Sequence, residues 1–196
     1  MQLSDIIRQV NRDLDEDYSN GDIIDWINRC IDDLAPIAKK EAKTTFAIDS
    51  NNSYTMPTDF LEFVDVLTVK ADPDNAANRH YTVLTQLPQQ DYTSTGFKYW
   101  AGTLSLQNPP SEGTIEVFYN AKPAYMAATN LNAVPQIDES FHDLFILYAI
   151  GQLQFTEEDY DDRPDTLNRY YARKAEFEAH TNRKTTGMYQ IKVVDW

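Results

Sequence analysis

Three carboxylates and a histidine lie within six residues of one another in the segment DESFHD, residues 138–143. Glu139 and His142 are three residues apart, a spacing that puts two side chains on one helix face and that di-iron proteins use in pairs. The chain has no second copy of this motif, since its other two histidines lie in different sequence contexts. We therefore predict a helix start rather than a metal site, with Asp138 as the N-cap and with Glu139 and Asp143 at the positive end of the helix dipole.

A second concentration of acids is the segment EEDYDDRPD, residues 157–165, which contains six carboxylates. It lies between two predicted helices and ends in residues that favour a helix start near Pro164. We therefore interpret it as a solvated loop that caps the next helix, rather than as a calcium site. One alternative stays open, in which the chain is a small enzyme and Glu158 and Asp162 belong to a carboxylate site in this loop.

The alternating acids Asp13, Asp15 and Asp17 imitate the beginning of a calcium-binding loop. The rest of the pattern fails, because Tyr18 occupies the position of the required glycine and Ile24 that of the bidentate glutamate. The chain also lacks a P-loop, a dinucleotide fingerprint and a nucleophile elbow. These observations predict no catalytic residue, no metal ligand and no cofactor.

The balance of charged residues restricts the partners of this chain. It has 31 acidic and 17 basic side chains and a formal net charge of -14. Such a surface repels phosphate, so counterion release cannot supply the usual affinity for nucleic acid, although the protein could still stand beside DNA without holding it. Its 196 residues, 42% of them hydrophobic, predict one globular domain with room for an inserted subdomain.

The single cysteine, Cys30, excludes an intrachain disulfide and fits a reducing compartment. Its place on the apolar side of a helical pattern predicts a buried, unreactive thiol. The beginning MQLSDIIRQV does not have the pattern of a signal peptide, and the longest apolar run, Leu144 to Ile150, is too short to cross a bilayer. We therefore expect a cytoplasmic protein.

Helical periodicity marks both ends of the chain. Apolar residues recur at helical spacing after Ser4, the predicted cap of a first helix, and again after the turn SNGD, until Pro36 ends or kinks the second helix. A third helix is predicted from Asp138 and a fourth from near Pro164. The predicted face of the fourth helix comprises Leu167, Tyr170, Tyr171, Lys174 and Phe177.

Between the two helical regions the period of the apolar residues changes towards two. Seven short segments rich in Thr, Tyr, Val and Phe predict a small antiparallel sheet: TTFAI, SYTM, FVDVLTV, HYTVL, FKYW, TLSL and TIEVFY. The segment YWAGTLSL predicts a hairpin that turns at Ala101 and Gly102, and LQNPPSEGTIEVFY predicts a second hairpin that turns between Asn108 and Gly113.

These elements predict an α+β fold, in which a helical bundle carries an inserted antiparallel β subdomain and an extended C-terminal tail. The predicted boundaries are residues 1–43 and 127–182 for the bundle, 44–126 for the β subdomain and 183–196 for the tail. Twelve tyrosines and three tryptophans are divided between the core and surfaces of the kind that large protein interfaces use.

Three stretches, taken in this order, resemble a known family. YTMPTDFLEFVDVLTV reads as a strand that ends at Pro, followed by Asp-Phe-Leu and a hydrophobic strand. GTLSLQNPPSEGTIEVFYNAKPAYM reads as two strands joined by a Pro-rich turn, and VPQIDESFHDLFILYAIGQL follows as a long helix. Over Thr44 to Lys174, and with an acidic helical start, the chain resembles the head-to-tail connector (adaptor) proteins of tailed bacteriophages.

This resemblance implies a structural virion protein with no enzymatic activity. It would be made in the host cytoplasm and assembled at the head-tail interface as a dodecameric ring beneath the portal. The implied partners are the portal protein, a downstream tail or tail-nozzle protein and further copies of the chain, with genomic DNA only passing through the channel and no membrane involved. Another tail-side structural protein, such as a tail terminator or completion protein that forms a hexamer, is the closest alternative.

The last segment, RKTTGMYQIKVVDW, is the one stretch with a net positive charge. We expect the fourth helix to end near Thr181, Gly187 to act as a hinge, and the residues beyond it to be extended. The resemblance implies that this tail docks on the portal, because an apolar tail needs a partner and large aromatic residues dominate interface energetics. The predicted portal-binding residues are Met188, Tyr189, Ile191, Val193, Val194 and Trp196. Folding back as an edge strand on its own sheet is the alternative.

Overall fold

The computed structural model describes residues 1–15, 17–71, 79–156 and 163–188, and these residues form an α+β protein, as predicted. The chain divides into two compact units. One unit consists of Met1–Lys40 and Lys122–Trp196 and is called the helical unit below. The other consists of Glu41–Ala121 and is called the β unit.

The helical unit contains four α-helices within its described residues: α1 (Leu3–Leu14), α2 (Asn20–Ala38), α3 (Asp143–Thr156) and α4 (Arg163–Met188). All four helices contribute to one core. The central element of this core is α3, which is buried on several sides rather than along one stripe. Its fully or nearly fully buried residues are Leu144, Phe145, Ile146, Ala149, Ile150 and Leu153.

The beginnings of α1 and α2 have different caps. The hydroxyl of Ser19 accepts a hydrogen bond from the Asp22 N–H at 3.2 Å, which satisfies one of the free donors at the start of α2. The first helix begins at Leu3, so the prediction that Ser4 caps it is wrong. The N-cap is Gln2, whose N–H donates to the Asp5 carboxylate at 3.3 Å, the reach-back half of a capping box.

Pro36 lies inside α2 and does not end it, since the helix continues to Ala38. A proline removes one helical hydrogen bond. Here the last turn is held by the core instead, because Ile37 and Ala38 pack against it. The helix then ends at Lys39, which has a left-handed conformation with φ of 44°.

The fourth helix differs from the prediction in two respects. Tyr170 and Phe177 are buried as predicted, but Tyr171 is 61% exposed, because one residue along a helix turns the side chain by about 100°. The helix also runs to Met188 instead of ending near Thr181, so residues 183–188 are not an extended tail and Gly187 is not a hinge. Arg183 and Lys184 are good helix formers, and the segment contains no proline to stop the helix.

The β unit contributes seven strands among the described residues, and these match the seven predicted segments: β1 (Lys40–Ala47), β2 (Ser53–Thr55), β3 (Phe60–Ala71), β4 (Arg79–Val83), β5 (Gly96–Trp100), β6 (Thr103–Gln107) and β7 (Thr114–Ala121). The prediction of a single sheet is wrong. A four-stranded sheet has the order β1-β7-β3-β4, and a three-stranded sheet has the order β2-β6-β5.

The division into two sheets corrects one of the two predicted hairpins. β5 and β6 pair antiparallel around Ala101 and Gly102, both at positive φ, so the first hairpin is confirmed. The segment between Asn108 and Gly113 does not close a hairpin, because β6 pairs with β2 and β5 whereas β7 lies between β1 and β3. β7 is a largely buried central strand, and the need to cover it on both edges outweighs pairing with its neighbour in sequence.

Aromatic residues of both sheets form the core of the β unit. The Phe63 ring centroid lies 5.0 Å from that of Phe97 and 5.1 Å from that of Tyr99, both in edge-to-face arrangements. Phe60 lies 5.7 Å from Tyr119. The contacts of Phe63 join β3 to β5 of the three-stranded sheet, and the contact of Phe60 joins β3 to β7. Within the described part of the chain, no helix is long and apolar enough to cross a membrane.

Two adjacent tyrosines of α4 provide a test of the helix face. Tyr170→Ala removes a ring that is 1% exposed, so we expect a loss of about 3–5 kcal/mol in the free energy of unfolding. Tyr171→Ala is the matched control and should cost less than about 0.5 kcal/mol. Urea unfolding of both variants measures the difference, and equal losses would contradict the assigned face.

Candidate assembly surfaces

The acid-rich segment at residues 138–143 forms a helix start. The Asp138 carboxylate accepts a hydrogen bond from the Ser140 N–H at 3.1 Å and caps a short 3-10 turn, Glu139–Phe141. The α-helix that follows begins at Asp143, five residues later than predicted. Asp138 is therefore a cap, as expected, but of the turn that leads into α3 rather than of α3 itself.

His142 is buried in this turn and is held by hydrogen bonds on both ring nitrogens. Its Nδ1 lies 3.0 Å from the amino group of Met1, and its Nε2 lies 3.3 Å from the carbonyl oxygen of Ile137. Burial, and then the positive charge of the Met1 amino group, lower the pKa of His142. The neutral ring therefore joins the beginning of α1 to the entrance of α3.

Metal binding finds no support in the geometry of the described residues. Throughout residues 1–15, 17–71, 79–156 and 163–188, no group of three or more His, Cys, Asp or Glu side chains is arranged to hold an ion. The proposed carboxylate loop, with Glu158 and Asp162, lies outside the described residues. Nothing in the structure therefore tests the enzyme alternative at that loop.

The predicted burial of Cys30 is confirmed, since its side chain is 0% exposed. Burial raises the pKa of the thiol far above its usual range. Its sulfur lies 3.8 Å from the hydroxyl of Tyr170, which donates a hydrogen bond to Asp33. Asp33 also accepts from Lys174 at 2.7 Å. This small polar network joins α2 to α4, and the thiol is a packed part of it.

Five basic side chains in the described part of the helical unit form ion pairs with acids of the same unit: Arg8, Arg12, Lys122, Arg173 and Lys174. Arg173 bonds Asp143 at 2.9 Å and Glu176 at 2.6 Å. Lys122 pairs with Asp32, whose carboxylate also accepts from the Tyr125 hydroxyl at 2.8 Å. These ion pairs reduce the positive charge that the described part of the unit offers to phosphate.

Exposed apolar side chains are the stronger signal on the β unit. Six large hydrophobic residues of this unit are at least 40% exposed: Leu61, Val64, Tyr81, Val83, Tyr92 and Trp100. Tyr81 and Val83 lie on β4, where they sit opposite Val69 and Leu67 of β3 and share one face of the sheet with them. We call these four residues the β3/β4 stripe; Tyr81 and Val83 are its exposed members, whereas Val69 is buried. Exposed apolar groups of this kind mark surfaces for protein partners.

Two further exposed aromatic residues are Trp100 of β5 and Tyr92 in the loop that precedes β5. Trp100 is 74% exposed immediately before the turn of the β5/β6 hairpin. Tyr92 is 80% exposed, and the ammonium group of Lys98 lies 4.4 Å from its ring centroid. Exposed Trp and Tyr are typical of interface anchors.

Of the predicted portal-binding residues, the structure places one. Met188 is the last residue of α4. Tyr189, Ile191, Val193, Val194 and Trp196 lie outside the described residues, so their role stays a prediction.

The sequence profile of the SU10 adaptor protein family matches residues 1–190, nearly the whole chain. The chain belongs to this family. It is therefore a phage structural adaptor protein and a component of the virion. The adaptor associates with other head or tail proteins of the phage. No curated protein matches it significantly.

The exposed surfaces of the adaptor were missed by sequence reasoning. The sequence assigns aromatic interface residues only in the C-terminal segment, and it predicts β4 as one more strand of a single sheet. One available signal was the position of Trp100 directly before an Ala-Gly turn, where a large side chain finds few neighbours. The exposure of Tyr81 and Val83 has no such signal, because it depends on β4 being at the edge of its sheet.

The lowered pKa of His142 predicts a defined dependence of stability on pH. The unfolded chain takes up the proton near the ordinary pKa of about 6.5, before the folded protein does. Stability from this residue is therefore complete above about pH 6.5 and falls as the pH is lowered further. The difference in Tm between the wild type and His142→Asn, measured by thermal unfolding between pH 8 and 5.5, isolates the contribution of His142 to the stability. A difference in Tm that does not narrow on acidification would contradict the assigned cause.

Proposed function

We propose that the adaptor forms a ring beneath the portal, joins the phage head to the tail and lines the channel through which DNA leaves. The observation that carries this proposal is the family match over residues 1–190. It favours an adaptor over a tail terminator or a completion protein, and over an enzyme that uses the loop around Glu158 and Asp162.

The charge of the adaptor supports a place at the wall of a DNA channel. A formal charge of -14 in each copy would repel the phosphates of passing DNA, so the duplex would meet little friction from ion pairing. The bases of the helical unit that contact carboxylates, such as Arg173 and Lys174, are already engaged. Twelve copies in a ring would therefore present a surface that lets DNA slide.

The same charge limits how the copies can contact one another. Neighbouring copies repel at long range, so a stable contact has to bury apolar surface or add hydrogen bonds. The exposed members of the β3/β4 stripe, Tyr81 and Val83, and the exposed Trp100 are groups that could supply such surface. We propose that the ring is dodecameric and that it forms on the portal, with a downstream tail or tail-nozzle protein attached to its other side.

The segment after α4 is proposed to dock on the portal while the helical unit forms a bundle behind it. α4 ends at Met188, so the proposed docking segment begins there, at the first of the predicted portal-binding residues. Its sequence MYQIKVVDW alternates apolar and polar residues from Tyr189 to Val193 and ends in tryptophan. This pattern is typical of a segment that adds a strand to a partner or inserts an aromatic anchor into a cleft.

Native mass spectrometry of the adaptor mixed with its portal tests the ring. We expect a complex with twelve adaptor copies per portal, and assembly that strengthens as salt rises from low to moderate concentration, because screening weakens the repulsion between copies. The portal without adaptor is the control. Complexes with only one or two adaptor copies at moderate salt would refute the ring.

Removal of residues 189–196 tests portal docking without shortening α4. The truncated adaptor should melt within a few degrees of the full chain but lose attachment to portal particles in a sedimentation assay. A finer pair of variants separates the anchors from the rest of the tail. The double substitution of Tyr189→Ser with Trp196→Ser should abolish attachment, whereas Gln190→Ala with Lys192→Ala should leave most of it. Normal attachment of the truncated chain, or unfolding of it, would count against the docking role.

A further inference from the structure

The two edges of the four-stranded sheet are β1 and β4, and they run in opposite directions. β4 is antiparallel to β3, and β3 is antiparallel to β7. The N–H of Ile48, just after β1, donates to the carbonyl oxygen of Gly113, just before β7. Earlier on β1, Lys43 forms an ion pair with Glu116, which lies later on β7. β1 is therefore antiparallel to β7. With an even number of alternating strands, the first and the last have opposite directions.

The backbone groups of the two edges are also in phase with each other. Leu84 donates its N–H to Val66 of β3 at 2.8 Å, so alternation along the strand directs the peptide groups of Arg79, Tyr81 and Val83 away from β3. By the same alternation, the bond from Ile48 to Gly113 directs those of four β1 residues away from β7: Glu41, Lys43, Thr45 and Ala47.

The outward residues of both edges lie on the same face of the sheet. Tyr81 and Val83 sit opposite Val69 and Leu67, on the face that does not enter the main aromatic core. Lys43 lies on that face too, where its ammonium group is 2.8 Å from Glu116. Opposed residues of an antiparallel pair point to the same face. If β4 of one copy lies beside β1 of another, the two sheets therefore join into one sheet in which each face of one copy continues as the same face of the other.

We propose that β4 of one copy pairs antiparallel with β1 of a second copy, so that the four-stranded sheets of neighbouring copies join edge to edge. This inference rests on the proposed ring and specifies its contact. The pairing is head to tail, because it uses a different edge of each copy, and such contacts close into rings when the rotation between copies permits. The three-stranded sheet does not have this property, since its two edges, β2 and β5, run in the same direction.

The side chains fit a register that pairs the whole of β4. With Tyr81 opposite Thr45, Val83 lies opposite Lys43 and Arg79 opposite Ala47, so no two like charges are opposed. In the same register Thr82 lies opposite Thr44, and Thr–Thr is a favourable cross-strand pair. β4 has no proline, and the bulges of β3 lie between Phe60 and Asp65, outside the stretch that pairs with β4.

Disulfide trapping tests the contact in rings assembled on the portal. Cα atoms in a hydrogen-bonded antiparallel pair are about 5.5 Å apart, within the range of a disulfide. The double variant Tyr81→Cys with Thr45→Cys should give, after oxidation, a ladder of linked copies on a non-reducing gel. Each single variant is a control and should give none, since Cys30 is buried. Tyr81→Cys combined with Lys43→Cys or with Ala47→Cys covers a register shifted by two residues.

The outcomes separate this contact from the ring itself. Rings that form on the portal without a ladder from any of the three pairs overturn the inference but leave the ring intact. Dimers from Tyr81→Cys alone indicate a symmetric pairing of β4 with β4 and overturn it as well. If the wild type forms no ring, the proposed function fails and this contact fails with it.

A second pair of variants tests the backbone hydrogen bonds directly. Tyr81→Pro removes an N–H that points away from β3, so the adaptor should keep its fold but lose ring assembly. Tyr81→Thr keeps that N–H and should assemble at least ten times better than the proline variant. Tm values check that both variants are folded. Equal assembly of the two folded variants would contradict pairing through β4.

Discussion

The burial of α3 is the constraint on which the helical unit depends. This helix has apolar residues around most of its circumference, among them Leu144, Phe145 and Ile150, and it cannot be stable while one of its sides faces water. α1, α2 and α4 each contribute an apolar face to the core around it. Their remaining faces are free to carry acids, which explains how a chain of such high negative charge still has a dense core.

The acids at the surface of the helical unit are held by a small number of bases and hydroxyls. Asp33 receives both Tyr170 and Lys174, and Asp143 receives Arg173. These bonds connect helices that lie far apart in the sequence. They also use up positive charge that could otherwise attract phosphate or the acids of a neighbouring copy. Assembly of such a protein has to rely on apolar contacts and backbone hydrogen bonds, which do not need opposite charges.

In the proposed contact between copies, the edges of the β unit would meet this requirement. Its core is closed by aromatic contacts between the two sheets, and Tyr81 and Val83 of β4 are left exposed. An exposed edge strand in a soluble protein usually carries some protection against pairing. In an assembling protein the same edge is an advantage, because a strand partner of the right direction and phase is present in every copy. The even strand count gives β1 and β4 opposite directions, which is what the proposed pairing between copies requires.

The sequence by itself determined the elements of this protein, including all seven strands, the four helices, the buried Cys30 and the capping role of Asp138. These elements depend on local propensity and on the period of apolar residues, which the sequence displays directly. The sequence also carried the family resemblance. The tertiary structure alone decided which strands pair, that α4 continues to Met188, and that Tyr81 and Val83 lie on an exposed edge. Strand order and exposure depend on contacts between residues distant in sequence, and no local pattern specifies which of several similar strands remains outermost.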